Sequence, residues 1–276
     1  MTKLIAIDID GTLVGPGTRI ISDRTRRAIN QAVRQGAVVT IATGRRLRAT
    51  LPIADQIGLA VPIICLNGGL IVHSKTLETL YIKFLAADQA MAAIRTIHSG
   101  GRAAYTYRHT NTPPDVFYQI SNDYEESVRS FEGAEGVERV SDLLAQGCDG
   151  IQRIMCFGTE SEVREVATLC EAALLPDATR LYVTRSDNWH LEVYPSGISK
   201  AQGVARMAAS LGIERQEIIA IGDGLNDLEL IEYAGLGVAM GNAPPNVKAV
   251  ADLVTDSQEN DGVAKVLEDL FRVAGT

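Results

Sequence analysis

The feature that most constrains the fold is a short apolar run that ends in two acidic residues. Residues 3–10 read Lys-Leu-Ile-Ala-Ile-Asp-Ile-Asp. A nearly continuous run of strand-forming residues predicts a strand that is buried on both faces, as in a parallel sheet covered by helices. Because carboxylates are costly inside a core, Asp8 and Asp10 at the end of this strand indicate a functional site where the chain leaves the sheet.

Strand and helix patterns continue to alternate after this run. The periodicity predicts a helix over 24–34, a strand over 37–42, a helix over 46–57 and a strand over 61–66. The strands are short apolar runs, and the first of these helices carries its apolar residues on one face. This order of elements favours an α/β fold with a doubly wound parallel sheet.

The alternation stops in the middle of the chain and returns near its end. Residues 83–188 mix strand, helix and loop patterns, and the stretch 108–150 is polar with few predicted elements. Strand–helix units of the first kind return afterwards. We therefore predict a core domain formed by 1–82 and 189–276, and an inserted α+β domain formed by 83–188.

Polar or glycine-rich residues follow four of the predicted core strands. These groups are Asp8/Asp10, Thr43-Gly44, Asn67-Gly68-Gly69 and Asp223/Asn226/Asp227. In open α/β sheets, ligands bind outside the carboxyl ends of the strands, and parallel strands place those ends at one edge. We therefore expect the four groups to converge on one site.

Four carboxylates in one crevice would repel each other strongly, and a divalent cation between them would relieve that repulsion. Mg²⁺ fits best because it prefers hard oxygen ligands. No cysteine or histidine lies close enough in sequence to favour zinc. Carboxylate-bound Mg²⁺ that faces glycine amides and Lys200 suits a phosphate ester.

Charge and composition narrow the class of protein. The net charge of −8 argues against a general nucleic-acid binder, which needs a basic face. No window approaches the roughly 20 apolar residues of a membrane span, and the four cysteines form no Cys-x-x-Cys pair. We expect a cytoplasmic protein, either a monomer or a weak homo-oligomer, with no nucleic-acid or membrane partner.

Taken in chain order, the motifs resemble those of the haloacid dehalogenase-like (HAD) phosphohydrolases, and the finer pattern is similar to the Cof-type subgroup. The segments that carry the resemblance are Asp8-x-Asp10-Gly11-Thr12, Ala42-Thr43-Gly44-Arg45, Asn67-Gly68-Gly69, Gly197-Ile198-Ser199-Lys200, Gly222-Asp223-Gly224-Leu225-Asn226-Asp227, Met240-Gly241-Asn242-Ala243 and Asn260-Asp261-Gly262-Val263. The resemblance covers the core and implies a Rossmann-like HAD core. In the inserted region it is architectural only and implies a cap domain that chooses the substrate.

The resemblance also implies the roles of the reacting groups. Asp8 would be the nucleophile that forms an aspartyl-phosphate. Asp10 would protonate the leaving oxygen and then deprotonate the attacking water. Lys200 would offset the charge on Asp8 and on the phosphoryl group.

The resemblance implies two sets of ligands as well. The phosphate would be bound by the Ile9 amide, Thr43, the Gly44 amide, Lys200 and Asn226. The Mg²⁺ would be held by Asp8, the Asp10 carbonyl and Asp223, with Asp227 supporting either the metal or Lys200.

Two groups of residues have simpler interpretations. Asn67-Gly68-Gly69 is explained equally well as a tight turn, because glycine tolerates unusual dihedral angles. Arg45, Arg46 and Arg48 are expected to be surface charges on a helix.

The expected function is Mg²⁺-dependent hydrolysis of small phosphorylated metabolites. Sugar phosphates are the expected substrates, and flavin mononucleotide and pyridoxal phosphate stay open. One alternative is a phosphomutase on the same core, which would return the phosphoryl group to the substrate. The other is a regulatory protein that binds a phosphometabolite without turnover.

Overall fold

The computed structural model describes residues 3–15, 18–109, 112–132, 134–174, 181–184 and 189–271. The chain divides into two compact units. The core unit comprises Met1–Ile82 and Ser199–Thr276, and the inserted unit comprises Lys83–Ile198. Among the described residues, no helix has both the length and the apolar composition needed to cross a bilayer.

The described residues form the following strands and helices, given in chain order. The strands are β1 (Leu4–Ile7), β2 (Val38–Ile41), β3 (Pro62–Cys65), β4 (Leu70–His73), β5 (Thr79–Ile82), β6 (Tyr105–Arg108), β7 (Val116–Tyr118), β8 (Val137–Arg139), β9 (Ile151–Phe157), β10 (Leu181–Thr184), β11 (His190–Pro195), β12 (Ile218–Gly222), β13 (Leu236–Ala239) and β14 (Leu253–Val254). The helices are α1 (Asp23–Arg34), α2 (Leu47–Gln56), α3 (Ala87–Ser99), α4 (Glu125–Glu132), α5 (Glu160–Leu174), α6 (Lys200–Ser210), α7 (Leu228–Tyr233), α8 (Pro245–Val250) and α9 (Gly262–Leu270).

A five-stranded parallel sheet forms the centre of the core unit, in the order β14-β13-β12-β1-β2. Leu4 and Ala6 of β1 pack against α6 and α7 on one face. Side chains alternate along a strand, so Ile5 and Ile7 lie on the opposite face. They are equally buried, which means that both faces are covered. The predicted doubly wound parallel sheet is confirmed.

The third predicted strand lies at the border of that sheet. β3 forms an antiparallel sheet with β4 and β5, and a parallel bridge between Ala42 and Ile64 joins it to the end of β2. The chain reverses directly after β3, where Leu66, Asn67 and Gly68 have φ angles of 51°, 50° and 95°. This left-handed turn sends β4 back along β3, so β3 has an antiparallel neighbour on one side and keeps its predicted parallel direction beside the end of β2 on the other.

The inserted unit is an α+β unit, as predicted. Its six-stranded sheet has the order β10-β11-β9-β6-β7-β8, and all pairs are antiparallel except β7 with β8. Apolar residues of α3 and α5 pack against β9 and β11 and form the buried core of this unit.

The second boundary of the inserted unit lies later than expected. β11 pairs with β9 and β10 in the inserted sheet, so the unit ends at Ile198 and not at residue 188, which lies outside the described residues. This strand, at 190–195, falls within the predicted core segment 189–276. Its buried pattern is real, but such a pattern does not reveal which sheet a strand joins.

The described residues of the stretch 108–150, where few elements were predicted, include two strands and one α-helix. They are β7, β8 and α4. The two strands have three residues each, which is too short for a clear hydrophobic period. Pairing with neighbouring strands creates them, so local sequence carries little sign of them.

Candidate active site

The carboxyl ends of three neighbouring core strands carry the acidic and hydroxyl groups of the site. Ile7 of β1 pairs with Ile41 on one side and with Ile221 on the other. The next residue, Asp8, donates its N–H to the Ile221 carbonyl at 3.0 Å. Asp8 therefore lies between the chain that leads to Thr43 and the chain that leads to Asp223, as the parallel topology predicts.

Lys200 joins two acidic residues that come from different strands. Its Nζ donates to Asp8 Oδ1 and to Asp227 Oδ1, both at 2.7 Å. Lys200 is the first residue of α6, and the Ser199 side chain caps that helix by accepting from the Gln202 N–H. All three charged side chains are buried, with Lys200 only 1% exposed. The ammonium group is therefore held rigidly between the two carboxylates.

The electrostatics of the cluster show an excess of negative charge. Burial raises the pKa of Asp8 well above its usual range; Lys200 opposes this effect, and Asp227 and Asp223 add to it. Burial also raises the pKa of Asp223 to about 6, against a hydrogen bond from Thr12 that lowers it. For Lys200, burial lowers the pKa, but the two carboxylates outweigh burial and raise it overall.

Three carboxylates in the described part of the chain have ligand atoms within 4.8 Å of one another: Asp8, Asp223 and Asp227. With one ammonium group among them, two negative charges remain uncompensated, which a divalent cation would balance. The donors are all carboxylate oxygens, the type that Mg²⁺ prefers. The residues present therefore fit a hard divalent metal.

Asp227 holds the loop that follows β12. Its Oδ2 accepts the N–H groups of Asp223 and Gly224 at 3.1 and 2.9 Å, while its Oδ1 accepts from Lys200. A Cβ on Gly222 would lie 2.4 Å from Asp227 Cγ, so glycine is required there. Of the two expected roles for Asp227, these contacts favour support of Lys200.

The Asp10 carboxylate lies outside the cluster. Arg45 binds it with two hydrogen bonds, Nε to Oδ2 at 2.8 Å and Nη2 to Oδ1 at 2.5 Å. The expectation that Arg45 and Arg46 are helix-surface charges is wrong: Arg45 precedes α2 with its side chain only 13% exposed, and Arg46 is buried. Metal binding by the Asp10 carbonyl stays a prediction.

The expected phosphate-binding side of the site contains an unexpected link through Asn67. Its Oδ1 accepts from Asn226 Nδ2 at 3.0 Å and lies 3.1 Å from the position of a Cβ on Gly44. Asn67 is buried at φ 50°. The turn interpretation is therefore incomplete, because the side chain connects two residues of the site.

Thr43 and Ile9 occupy ordered backbone positions beside the carboxylates. Thr43 is 1% exposed, and its Oγ1 accepts the Arg45 N–H at 3.1 Å. The Ile9 side chain is fully buried, and its carbonyl accepts the N–H groups of Leu13 and Val14 at 2.9 Å each. Phosphate binding by Thr43, Gly44, Ile9 and Asn226 stays a prediction.

Thr12 and Asn242 are two further site residues to which sequence reasoning gave no role. Thr12 Oγ1 donates to Asp223 Oδ1 at 2.7 Å, and Asn242 Nδ2 donates to Asp223 Oδ2 at 3.1 Å. Both belong to segments that carry the family resemblance, which was the available signal. Nothing local to either segment indicates Asp223 as the partner.

Comparison with known proteins places this geometry in a family. The model of the haloacid dehalogenase-like hydrolases matches residues 5–267. The chain is 33% identical over 267 residues to the 5-amino-6-(5-phospho-D-ribitylamino)uracil phosphatase YcsE of Bacillus subtilis, covering 96% of this chain and 94% of the relative.

Solved structures of haloacid dehalogenase-like hydrolases have a similar fold. A haloacid dehalogenase-like hydrolase from Bacteroides thetaiotaomicron superposes with a TM-score of 0.84 at 28% identity, covering 98% of this chain and 100% of that one. A HAD subclass IIB sugar phosphatase gives a TM-score of 0.80 at 26% identity, covering 98% and 99%. The chain therefore belongs to the haloacid dehalogenase-like hydrolases, in the Cof-type subgroup, and it is a phosphoric monoester hydrolase.

Proposed function

We propose that this enzyme is a Mg²⁺-dependent phosphatase that hydrolyses small phosphorylated metabolites through an aspartyl-phosphate on Asp8. The observation that carries the proposal is the buried contact of Lys200 Nζ with Asp8 Oδ1 at 2.7 Å, beside Asp223 and Asp227. A carboxylate that is buried, rigid and held by a cation suits nucleophilic attack on a phosphoryl group.

In the first step, Asp8 attacks phosphorus and the ester bond to the leaving oxygen breaks. Lys200 occupies Oδ1 of Asp8, so we assign the attack to Oδ2. Mg²⁺, when bound, supplies positive charge that keeps Asp8 and Asp223 ionised and offsets the charge of the phosphoryl oxygens. Asp223 would hold it with Asp8 and the Asp10 carbonyl, while Asp227 holds Lys200.

Asp10 moves the proton in both steps. It gives a proton to the leaving oxygen, then takes one from the water that attacks the aspartyl-phosphate and releases inorganic phosphate. Both of its carboxylate oxygens accept hydrogen bonds from Arg45 in this structure. One of these hydrogen bonds opens when its oxygen carries the proton, and the other keeps the Asp10 side chain oriented.

For the substrate, we propose phosphate monoesters of sugar or sugar-alcohol chains. YcsE is named for a phosphorylated ribityl compound, and another relative is named a sugar phosphatase. Both names describe a phosphate on a polyhydroxylated carbon chain. We assign the choice among such substrates to the inserted unit, which has the place in the chain of the family's cap.

A screen of sugar phosphates, phosphorylated ribityl compounds, flavin mononucleotide and pyridoxal phosphate tests the proposal, with phosphate release measured as kcat/KM. The highest value is expected for a sugar or ribityl phosphate.

Two further experiments test the nucleophile and the metal. Asp8→Asn should lose turnover while keeping its circular dichroism spectrum, and EDTA should stop the wild-type reaction until Mg²⁺ is restored. Full activity of Asp8→Asn would contradict the covalent mechanism, and resistance to EDTA would contradict the metal.

The same assay separates the two alternatives. A phosphomutase would convert a sugar phosphate into its isomer and release little inorganic phosphate. A regulatory protein would bind the ligand tightly without turnover. The contact between Asp8 and Lys200 favours catalysis over mere binding, because phosphate binding alone does not require a buried nucleophile.

A further inference from the structure

The mechanism above gives no task to the loop between β13 and α8, although its residue Asn242 contacts the acidic cluster. Asn242 Nδ2 donates to Asp223 Oδ2 at 3.1 Å and to the Gly11 carbonyl at 2.9 Å. The side chain therefore joins the chain after β1 to the chain after β12, at the residue we assign to the metal.

The orientation of the Asn242 amide is set by its other end. The N–H of Gln258 donates to Asn242 Oδ1 at 2.9 Å. An amide oxygen accepts and an amide nitrogen donates, so this bond turns the NH₂ group toward Asp223. The loop is anchored as well, because the Gly241 N–H donates to the Asp256 carbonyl at 3.0 Å and Lys248 Nζ donates to the Gly241 carbonyl at 2.6 Å.

Asp223 is thus held at both carboxylate oxygens. Thr12 donates to Oδ1 at 2.7 Å, and Asn242 donates to Oδ2. Each carboxylate oxygen has about two lone-pair sites, so one hydrogen bond on each leaves capacity for a metal. Held in this way, Asp223 needs no rearrangement to bind a cation.

We propose that Asn242 is a positioning residue that sets the affinity of the site for Mg²⁺ by fixing the Asp223 carboxylate. The inference rests on the proposed function, because it takes Asp223 as a metal ligand. Residues that orient metal ligands typically contribute about 10- to 100-fold to metal affinity. Gln258 acts one step further out, through the N–H that orients the amide.

The test is calorimetric titration of Mg²⁺ into the metal-free full-length protein, without substrate. Asn242→Ala is expected to raise the dissociation constant for Mg²⁺ about 10- to 100-fold. The rise in Tm that Mg²⁺ induces should become smaller accordingly. Asn260→Ala is the matched control. Asn260 Nδ2 donates to Ser257 Oγ at 2.9 Å in an exposed turn of the neighbouring segment, so its loss should leave Mg²⁺ affinity unchanged.

A second variant tests the orientation without removing Asn242. Gln258 is the first residue of a 3₁₀ turn, a position where proline is tolerated but offers no N–H. Gln258→Pro should therefore weaken Mg²⁺ binding in the same direction, by a smaller factor. If Asn242→Ala binds Mg²⁺ as tightly as the wild type does, the role of Asn242 is overturned and the proposed metal is not. If the wild type does not bind Mg²⁺, the proposed metal is overturned and this inference with it.

Discussion

Arg45 holds the carboxylate of Asp10 at both oxygens, with distances of 2.8 and 2.5 Å. Arginine and carboxylate match each other as planar, two-point partners. The pair keeps the Asp10 side chain apart from the acidic cluster of Asp8, Asp223 and Asp227. Asp8 and Asp10 are two positions apart in the chain, yet they have different environments because each has a different cationic partner.

The first prediction concerns this pair. Arg45→Ala should lower kcat at least about 10-fold, because Asp10 loses the group that orients it for proton transfer. The dissociation constant for Mg²⁺ should stay within about twofold of wild type, since the Asp10 carboxylate lies outside the acidic cluster. Steady-state kinetics and calorimetry check the two halves.

Arg48→Ala is the matched control for this variant, because Arg48 lies nearby on α2 and has no proposed task. It should leave kcat unchanged. A rise of KM in Arg45→Ala with kcat preserved would show that Arg45 binds the substrate and does not position Asp10.

The second prediction concerns Lys200. Lys200→Met removes the cation between two buried carboxylates and leaves their charges uncompensated. Loss of one partner of a buried ion pair typically costs about 3–5 kcal/mol, so the free energy of unfolding of the metal-free protein should fall by about that amount. Urea denaturation at neutral pH measures it, and turnover should be lost as well.

Adding Asp227→Asn to Lys200→Met should restore part of that stability, because it removes one of the two uncompensated charges. Asp227→Asn alone should destabilise the protein, since Lys200 then loses a partner at 2.7 Å. Additive effects in this double-mutant cycle would show that the two side chains are not coupled.

The third prediction uses two glycines that share a left-handed backbone. Gly11 has φ +79°, and a Cβ there would lie 2.2 Å from Asp223 Oδ2. Gly36 has φ +93° and no atom within 4 Å of that position. Gly11→Ala should displace Asp223 and weaken Mg²⁺ binding at least about 10-fold.

Gly36→Ala should lower the free energy of unfolding by only about 1 kcal/mol, because alanine is strained in a left-handed backbone. Its affinity for Mg²⁺ should stay unchanged. Chemical denaturation and calorimetry on the two variants separate backbone strain from the steric effect on the metal ligand. Equal Mg²⁺ affinity in Gly11→Ala and Gly36→Ala would argue against Asp223 as a ligand.

The fourth prediction concerns pH. Burial raises the pKa of Asp223 to about 6 in the metal-free protein, and the pKa of Asp8 is raised as well. Metal binding requires the ionised carboxylates. Protons therefore compete with Mg²⁺ more strongly as the pH falls through about 6, and the apparent dissociation constant should increase in that direction.

Calorimetry in two buffers of different ionisation enthalpy measures the protons released on binding. We expect proton release near about pH 6 and a smaller release near about pH 8. A dissociation constant that is the same at both pH values, with no proton release, would contradict the raised pKa values.

Much of the core was predictable because its signals are local. Strand β1 is an uninterrupted apolar run, and its burial follows from composition alone. The convergence of Asp8, Thr43 and Asp223 follows from parallel topology, which the alternation of strands and helices predicts. The family chemistry was readable for the same reason, since each motif sits directly after a strand or opens a helix.

What was not predictable depends on pairing between distant segments. The run at 190–195 is recognisably a strand, but only its hydrogen bonds to β9 assign it to the inserted sheet. The turn at Asn67 is visible in sequence, whereas its bond to Asn226 joins residues that are 159 positions apart.

The sequence by itself determined the doubly wound core, the strand end that bears Asp8 and Asp10, and the family to which the chain belongs. Only the tertiary structure decided how the charges are shared: Lys200 between Asp8 and Asp227, Arg45 on Asp10, and Asn242 on Asp223. The physical reason is that secondary structure follows from short-range periodicity, whereas the partner of a charged side chain depends on side-chain directions at the sheet edge, which no local pattern specifies.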